Sequence, residues 1–67
     1  MILLNGEASE ARPGETLAEV LGRLGVSSDA RGVAVAVDGE VVPRASWEVF
    51  ALTEDARVEV LTAMQGG

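Results

Sequence analysis

The chain has 67 residues, of which 48% are hydrophobic and 24% charged, values typical of one small folded domain. Eleven carboxylates against five arginines give a formal net charge of −6, which disfavours nucleic-acid binding because the phosphate backbone would repel this surface. The sequence contains no Cys, His, Lys or Tyr, so few side chains could serve as nucleophile, metal ligand or base at neutral pH. Without cysteine or an apolar run long enough to span a bilayer, we expect a cytoplasmic protein with no bound cofactor, no metal and no membrane contact.

The first two elements are predicted to be strands joined by a tight turn. The apolar run from Ile2 ends in Asn5-Gly6, a dipeptide that suits the positive φ angles of a hairpin turn. The weakly apolar residues 8–12 would form the returning strand at a sheet edge, until Pro13-Gly14 ends it.

A helix is predicted next. Thr16 and Glu19 have the spacing of a capping box, in which each side chain accepts from the other residue's backbone N–H. Gly25 is placed to end the helix in the left-handed conformation. One apolar stripe at helical spacing should face the core: Leu17, Val20, Leu21 and Leu24.

The second half of the chain is predicted to be mostly strand. Residues 33–37 alternate strictly between Val and Ala, Asp38-Gly39 is a second tight turn, and a short strand returns until Pro43. Residues 44–54 should be irregular, with one helical turn from Ser46. A last strand is expected over residues 58–62.

The order strand, strand, helix, strand, short strand, strand predicts a helix packed on one face of a mixed sheet. The last strand is apolar enough to lie in the sheet centre, parallel to the first. We therefore predict an α+β protein with the β-grasp (ubiquitin-like) fold: four to five strands and one covering helix, in a single domain over residues 1–67.

Period-two alternation sorts the strand side chains between the two faces of this sheet. One set should face the helix: Ile2, Leu4, Val33, Val35, Val37, Val58 and Val60. A second set should lie on the uncovered face: Leu3, Ala34, Ala36, Leu61 and Ala63. We expect Leu3 and Leu61 to be neighbours there, and interpret the set as a partner-docking patch. Scattered apolar surface residues would look similar.

The loop between the short strand and the last strand carries the aromatic and some acidic side chains. Trp47 or Phe50 should pack inward. The carboxylates Glu48, Glu54 and Asp55 form no pattern typical of a metal or acid/base site, so we interpret them as a solvated surface.

The last residues, Gln65, Gly66 and Gly67, are predicted to form a flexible tail. Glycine lets a backbone pass and bend where a larger residue would not fit, and three extended residues reach about 10 Å. If the protein takes part in covalent chemistry, the Gly67 carboxylate is the group we expect to carry it. A frayed terminus or a cloning remnant is the alternative.

Three segments resemble the ThiS family, the sulfur carriers of thiamin biosynthesis. They are LNGE at residues 4–7, VAVAVDGEVVPRASW at residues 33–47, and the ending RVEVLTAMQGG. The VPR-x-x-W element together with Gln-Gly-Gly is fairly specific among diglycine β-grasp proteins. Two departures, Asp38 where Asn is common and Glu54-Asp55-Ala56 in place of Asp-Gly-Asp, leave the tail untouched.

The resemblance implies that the protein is a carrier and not an enzyme. An E1-like adenylating enzyme of the ThiF type would use ATP and magnesium to convert the Gly67 carboxylate to an acyl adenylate. A persulfide on a sulfur-donating protein would then yield a thiocarboxylate, and thiazole synthase of the ThiG type would receive the sulfur.

Other destinations remain open at this point. The same fold and ending occur in the small subunit of molybdopterin synthase and in carriers for tRNA thiolation, whose chains tend to lack VPR-x-x-W. A ubiquitin-like modifier joined to lysines, or an interaction adaptor whose tail has no role, are further alternatives.

Overall fold

The computed structural model describes residues 1–27 and 31–62. In these residues five strands and one α-helix follow one another in the predicted order. They are β1 (Ile2–Leu4), β2 (Glu7–Ser9), α1 (Leu17–Arg23), β3 (Val33–Val37), β4 (Glu40–Val41) and β5 (Arg57–Thr62), with a 3₁₀ turn over Arg44–Ser46 between the last two strands.

The strands form one mixed sheet in the order β2-β1-β5-β3-β4. β1 runs parallel to β5, whereas the β1–β2, β3–β4 and β3–β5 pairs are antiparallel. The prediction of a β-grasp fold with the last strand beside the first is confirmed.

The core lies between one face of the sheet and α1, as the strand alternation predicts. Of the predicted inward set, Ile2, Val35, Val37 and Val58 are buried, and Leu4, Val33 and Val60 are partly buried and pack against the core. Trp47 is 1% exposed. Its indole N–H donates to the Val42 carbonyl at 3.0 Å, so the polar atom of this large side chain is satisfied inside the core.

The capping box at the start of α1 is present. The Thr16 hydroxyl oxygen accepts from the Glu19 backbone N–H at 3.3 Å, and the Thr16 backbone N–H donates to the Glu19 carboxylate at 3.0 Å. The backbone and side-chain hydrogen bonds from Thr16 lower the pKa of Glu19, because they favour its charged form.

The apolar stripe of α1 ends one turn earlier than predicted, since Leu24 is 49% exposed. Gly25 takes a φ of +83°, as expected, and its N–H donates to the Gly22 carbonyl at 3.1 Å. The Val26 N–H reaches back to the Leu21 carbonyl at 2.9 Å, which completes a Schellman motif. This reversal packs Val26 against the core and leaves Leu24 at the helix end facing water.

Several element boundaries also differ from the prediction, and two strands begin one residue early, β2 at Glu7 and β5 at Arg57. β2 ends at Ser9 and does not reach Arg12. The chain beyond it bends toward α1, because the buried Glu15 carboxylate accepts from the Arg12 backbone N–H at 3.1 Å and pairs with Arg23. The helical turn begins at Arg44 rather than Ser46, directly after Pro43, whose φ of −59° already suits a helical start.

Across residues 1–27 and 31–62, no helix combines the length and the apolar character needed to cross a membrane.

Candidate functional site

The sheet face opposite α1 carries four of the five residues predicted to form the docking patch. Leu3 is 36% and Leu61 61% exposed. Ala34 is exposed as well, and Ala36 is half-buried. Ala63 lies outside the described residues. The apolar side chains on this face are therefore open to contact, whereas the docking role itself stays a prediction.

The expectation that Leu3 and Leu61 are neighbours is wrong. Leu3 pairs with Arg57 at the start of β5, whereas Leu61 pairs with Ala34 on β3. Leu61 lies four positions after Arg57 in β5, a distance of about 13 Å along a strand. The reason is the length of β1: the chain leaves the parallel ladder after Leu4, before it reaches the second half of β5.

Val41 belongs to the same face, although the period-two assignment did not include it. It pairs with Ala36 across the β3–β4 hairpin and is 73% exposed. Directly paired residues share a face, and a two-residue turn at Asp38-Gly39 fixes this register. The turn signal in the sequence, followed through to its register, could have identified Val41.

The uncovered face thus divides into two apolar groups. We call Ala34, Ala36, Val41 and Leu61 the tail-side patch. Leu61 lies next to Thr62, after which residues 63–67 follow in the sequence, and the other three extend from it across β3 and β4. Leu3 and its β2 partner Ala8 form a second, smaller group at the other end of the sheet. Arg57 and Glu59 lie on the same face of β5 as Leu61, and Arg57 is paired with Leu3 whereas Glu59 is paired with Ala36 of the tail-side patch.

Gln65, Gly66 and Gly67, predicted to form the flexible tail, lie outside the described residues. β5 is described up to Thr62, which pairs with Val33 at the end of the β3–β5 ladder. Gly67 is the fifth residue after Thr62, and five residues in extended form reach about 17 Å. The carrier role of Gly67 stays a prediction.

The acidic loop residues make their contacts away from the uncovered sheet face. Glu54 accepts from the Met1 amino group at 3.0 Å, with both groups largely exposed, and Asp55 occupies a turn with a φ of +63°. Within the described part of the chain, no group of three or more acidic side chains is arranged to hold a metal ion. The Arg44 guanidinium lies 5.4 Å from the centre of the Trp47 ring, so this arginine stacks on the loop.

Comparison with known proteins places the chain in a family. The model of the ThiS family matches residues 2–67. The crystal structure of the thiamine biosynthesis protein ThiS from Geobacter metallireducens is 28% identical in sequence and superposes with a TM-score of 0.77, covering 98% of this chain and 97% of that one. The solution structure of a thiamine biosynthesis protein from the same organism is also 28% identical, with a TM-score of 0.75 and coverage of 98% and 86%. No curated protein matches the chain. Because the family match extends over nearly the whole sequence and the solved relatives share its fold, the chain belongs to the ThiS family.

Proposed function

We propose that the chain is a sulfur carrier of thiamin biosynthesis and holds its cargo as a thiocarboxylate on Gly67. The observation that supports this most strongly is the ThiS family match over residues 2–67, which includes the Gln-Gly-Gly ending. The structural likeness to a thiamine biosynthesis protein along 98% of the chain supports the same assignment. In this role the protein is a substrate of other enzymes.

The chemistry begins with activation, because a carboxylate is a poor electrophile. A Gly67 carboxylate oxygen attacks the α-phosphorus of ATP in the active site of an E1-like adenylating enzyme, and pyrophosphate leaves. The magnesium ion that this step needs belongs to the enzyme and its nucleotide. The resulting acyl adenylate has AMP as a good leaving group.

Sulfur then replaces AMP. The terminal sulfur of a persulfide on a donor protein attacks the Gly67 carbonyl carbon and expels AMP. A thiol then attacks the donor's sulfur in the resulting acyl disulfide and forms a disulfide with the donor, which releases the Gly67 thiocarboxylate. The thiocarboxylate sulfur then passes to thiazole synthase. Since this chain has no cysteine, the sulfur has no side chain on which to travel. The requirement for ATP and reduced sulfur favours a cytoplasmic location.

Docking on the adenylating enzyme is assigned to the tail-side patch. Leu61 and Val41 are 61% and 73% exposed, and the two alanines beside them are small enough to let a partner surface approach closely. The patch begins at Leu61, one residue before Thr62, so an enzyme bound there lies within reach of the segment that follows Thr62. The net charge of −6 would steer the protein toward a basic surface around the enzyme cleft.

Intact mass spectrometry tests the proposal directly. The full chain is incubated with ATP, magnesium, the adenylating enzyme and a persulfide donor, and we expect a mass increase equal to one oxygen replaced by sulfur. The variant that lacks Gly67 is the matched control and should show no increase. An unmodified wild-type chain, in a reaction where a known ThiS protein is converted, would refute the proposal.

The destination of the sulfur needs a second reaction. Addition of thiazole synthase and its other substrates to the thiocarboxylate form should return the carrier to its original mass. Retention of the sulfur there, with discharge to molybdopterin synthase or a tRNA-thiolating enzyme instead, would assign the carrier to another pathway.

A further inference from the structure

The two tight turns of the sheet share one unusual feature. Asn5 and Asp38 have φ angles of +50° and +52°, and the glycines that follow them have φ angles of +84° and +86°. Each side chain reaches β5: Asn5 Oδ1 accepts from the Val60 N–H at 2.8 Å, and Asp38 Oδ1 accepts from the Arg57 N–H at 3.0 Å. The two turns therefore hold the last strand from its two opposite edges.

The hydrogen bond between the Asn5 side chain and Val60 extends the β1–β5 ladder beyond its last backbone hydrogen bond. Along the parallel β1–β5 pair, the Leu3 N–H donates to the Ala56 carbonyl at 2.9 Å and the Asn5 N–H to the Val58 carbonyl at 2.8 Å. In a regular parallel ladder the Val60 N–H would next donate to a backbone carbonyl of the first strand. The positive φ of Asn5 turns the backbone away at that point, and its side-chain oxygen accepts this hydrogen bond instead.

The Asn5 amide group can bond both the N–H and the carbonyl of Val60. While Asn5 Oδ1 accepts from Val60, Asn5 Nδ2 lies 3.5 Å from the Val60 carbonyl and donates to it. A carboxylate at position 5 would place a second acceptor against that carbonyl. At the other turn only an acceptor is needed, because the Asp38 backbone N–H already donates to the Arg57 carbonyl at 2.8 Å. The choice of Asn in one turn and Asp in the other follows from these partners.

We propose that Asn5 is a positioning residue for the sulfur-carrying end of the chain, an inference that rests on the proposed function. Its side chain extends the support of β5 on the β1 side from Val58 to Val60. Thr62, where β5 ends and the carrier segment begins, lies two residues beyond. Asn5 thus fixes β5 at Val60, close to the last described residue of the strand.

Loss of this contact has a specific kinetic consequence. Without the Asn5 side chain, β5 beyond Val58 is held on its β3 edge alone, by the ladder that ends at the Val33–Thr62 pair, so the strand end opens more often. The adenylating enzyme must then order this end on binding, which raises KM for the carrier. The chemical step occurs in the enzyme and involves Gly67, so kcat stays unchanged.

Two glycine variants separate this role from general stability. Asn5→Gly and Asp38→Gly both keep the positive φ of their turn. Asn5→Gly removes the two side-chain hydrogen bonds to Val60, and Asp38→Gly removes the one to Arg57. They differ in where they act: Asn5→Gly loosens the end of β5, and Asp38→Gly loosens its start. Asp38→Gly is therefore the matched control, and Asn5→Asp is the conservative variant that retains the acceptor for Val60.

Amide hydrogen exchange followed by NMR is the first measurement. We expect the Val60 amide to exchange about tenfold faster in Asn5→Gly than in the wild type, as for the loss of one hydrogen bond. In Asp38→Gly the faster amide should be Arg57, with Val60 unchanged. Asn5→Asp should restore most of the Val60 protection. An unchanged Val60 exchange rate in Asn5→Gly would overturn the inference.

Steady-state formation of the thiocarboxylate is the second measurement. Asn5→Gly should raise KM for the carrier about threefold to tenfold with kcat within twofold of the wild type, whereas Asp38→Gly should leave both constants within twofold. An equal rise of KM in both variants would assign the effect to stability and overturn the positioning role. Absence of thiocarboxylate with the wild-type chain would instead refute the proposed function, and the exchange data would still decide whether Asn5 holds Val60.

Discussion

Replacement of Leu61 by Asp tests whether the tail-side patch binds a partner. The side chain is 61% exposed, so little core packing is lost, and we expect a change of at most about 0.5 kcal/mol in the free energy of unfolding. Complete burial of a leucine is worth about 1.5–3 kcal/mol, and the exposed part that a partner would cover accounts for about 1–2 kcal/mol of this. An unpaired carboxylate in the interface adds a desolvation cost.

The expected result is a Kd for the adenylating enzyme at least about tenfold higher, since about 1.4 kcal/mol corresponds to a factor of ten. Isothermal titration calorimetry with the purified enzyme measures this. Thermal unfolding monitored by the fluorescence of the single tryptophan, the buried Trp47, checks that the fold is intact.

Val49→Asp is the matched control for this experiment. Val49 is 79% exposed, and it lies on the loop whose Trp47 and Phe50 carbonyls accept from the first turn of α1, on the helix side of the protein. The Val49→Asp variant introduces the same charge outside the patch, so its Kd for the adenylating enzyme should stay within twofold of the wild-type value. If Leu61→Asp binds as tightly as the wild type, or if both variants weaken binding equally, the docking role of the patch is refuted.

Three further predictions concern the stability of the carrier. Trp47→Ala should destabilise the fold by about 3–5 kcal/mol, since it empties the largest buried position, and loss of cooperative unfolding by circular dichroism checks this; a stable variant would contradict the packing described for Trp47. Thr16→Ala should cost about 1 kcal/mol and raise the pKa of Glu19 toward its ordinary value, measured by NMR titration. Because the pKa of Glu19 is lowered in the folded state, its stabilising contribution is complete above the unfolded-state pKa and disappears as the pH falls through the folded-state pKa; a Glu19 titration identical in wild type and variant would contradict this cause. Glu15→Ala should cost about 1–3 kcal/mol because it removes the carboxylate that accepts from the Arg12 backbone N–H and pairs with Arg23, whereas Glu10→Ala, at an exposed side chain of the same loop, should stay within about 0.5 kcal/mol in urea unfolding.

Local signals in the sequence predicted most of the fold. The Thr16 and Glu19 spacing identified the helix start, and the Asn5-Gly6 and Asp38-Gly39 dipeptides identified both hairpin turns. Alternation over residues 33–37 gave the strand bounds and the buried face correctly. These features depend on residues close together in sequence, where propensity and hydrogen-bonding chemistry act directly.

The errors concern features that depend on distant contacts. The separation of Leu3 from Leu61 follows from the β1–β5 register, which joins residues 54 positions apart and leaves no mark in either strand alone. The exposure of Leu24 results from the Schellman motif, which reverses the chain so that Val26, and not Leu24, packs against the core. Of the candidate site, the sequence identified the exposed face, and the register then showed how that face is divided.

The position of β5 in the sheet has a consequence for biosynthesis. This strand lies between β1 and β3, so it joins the β1–β2 half of the sheet to the β3–β4 half. Among the described elements, β5 is also the last that the ribosome synthesises. The core of the nascent polypeptide cannot form completely until residue 62 has emerged from the exit tunnel. Until then the β1–β2 hairpin, α1 and the β3–β4 hairpin lack the strand that pairs with both hairpins. Chains that stop before β5 would therefore expose apolar surface and be removed by cellular proteases, so that carriers without a completed sheet would not accumulate.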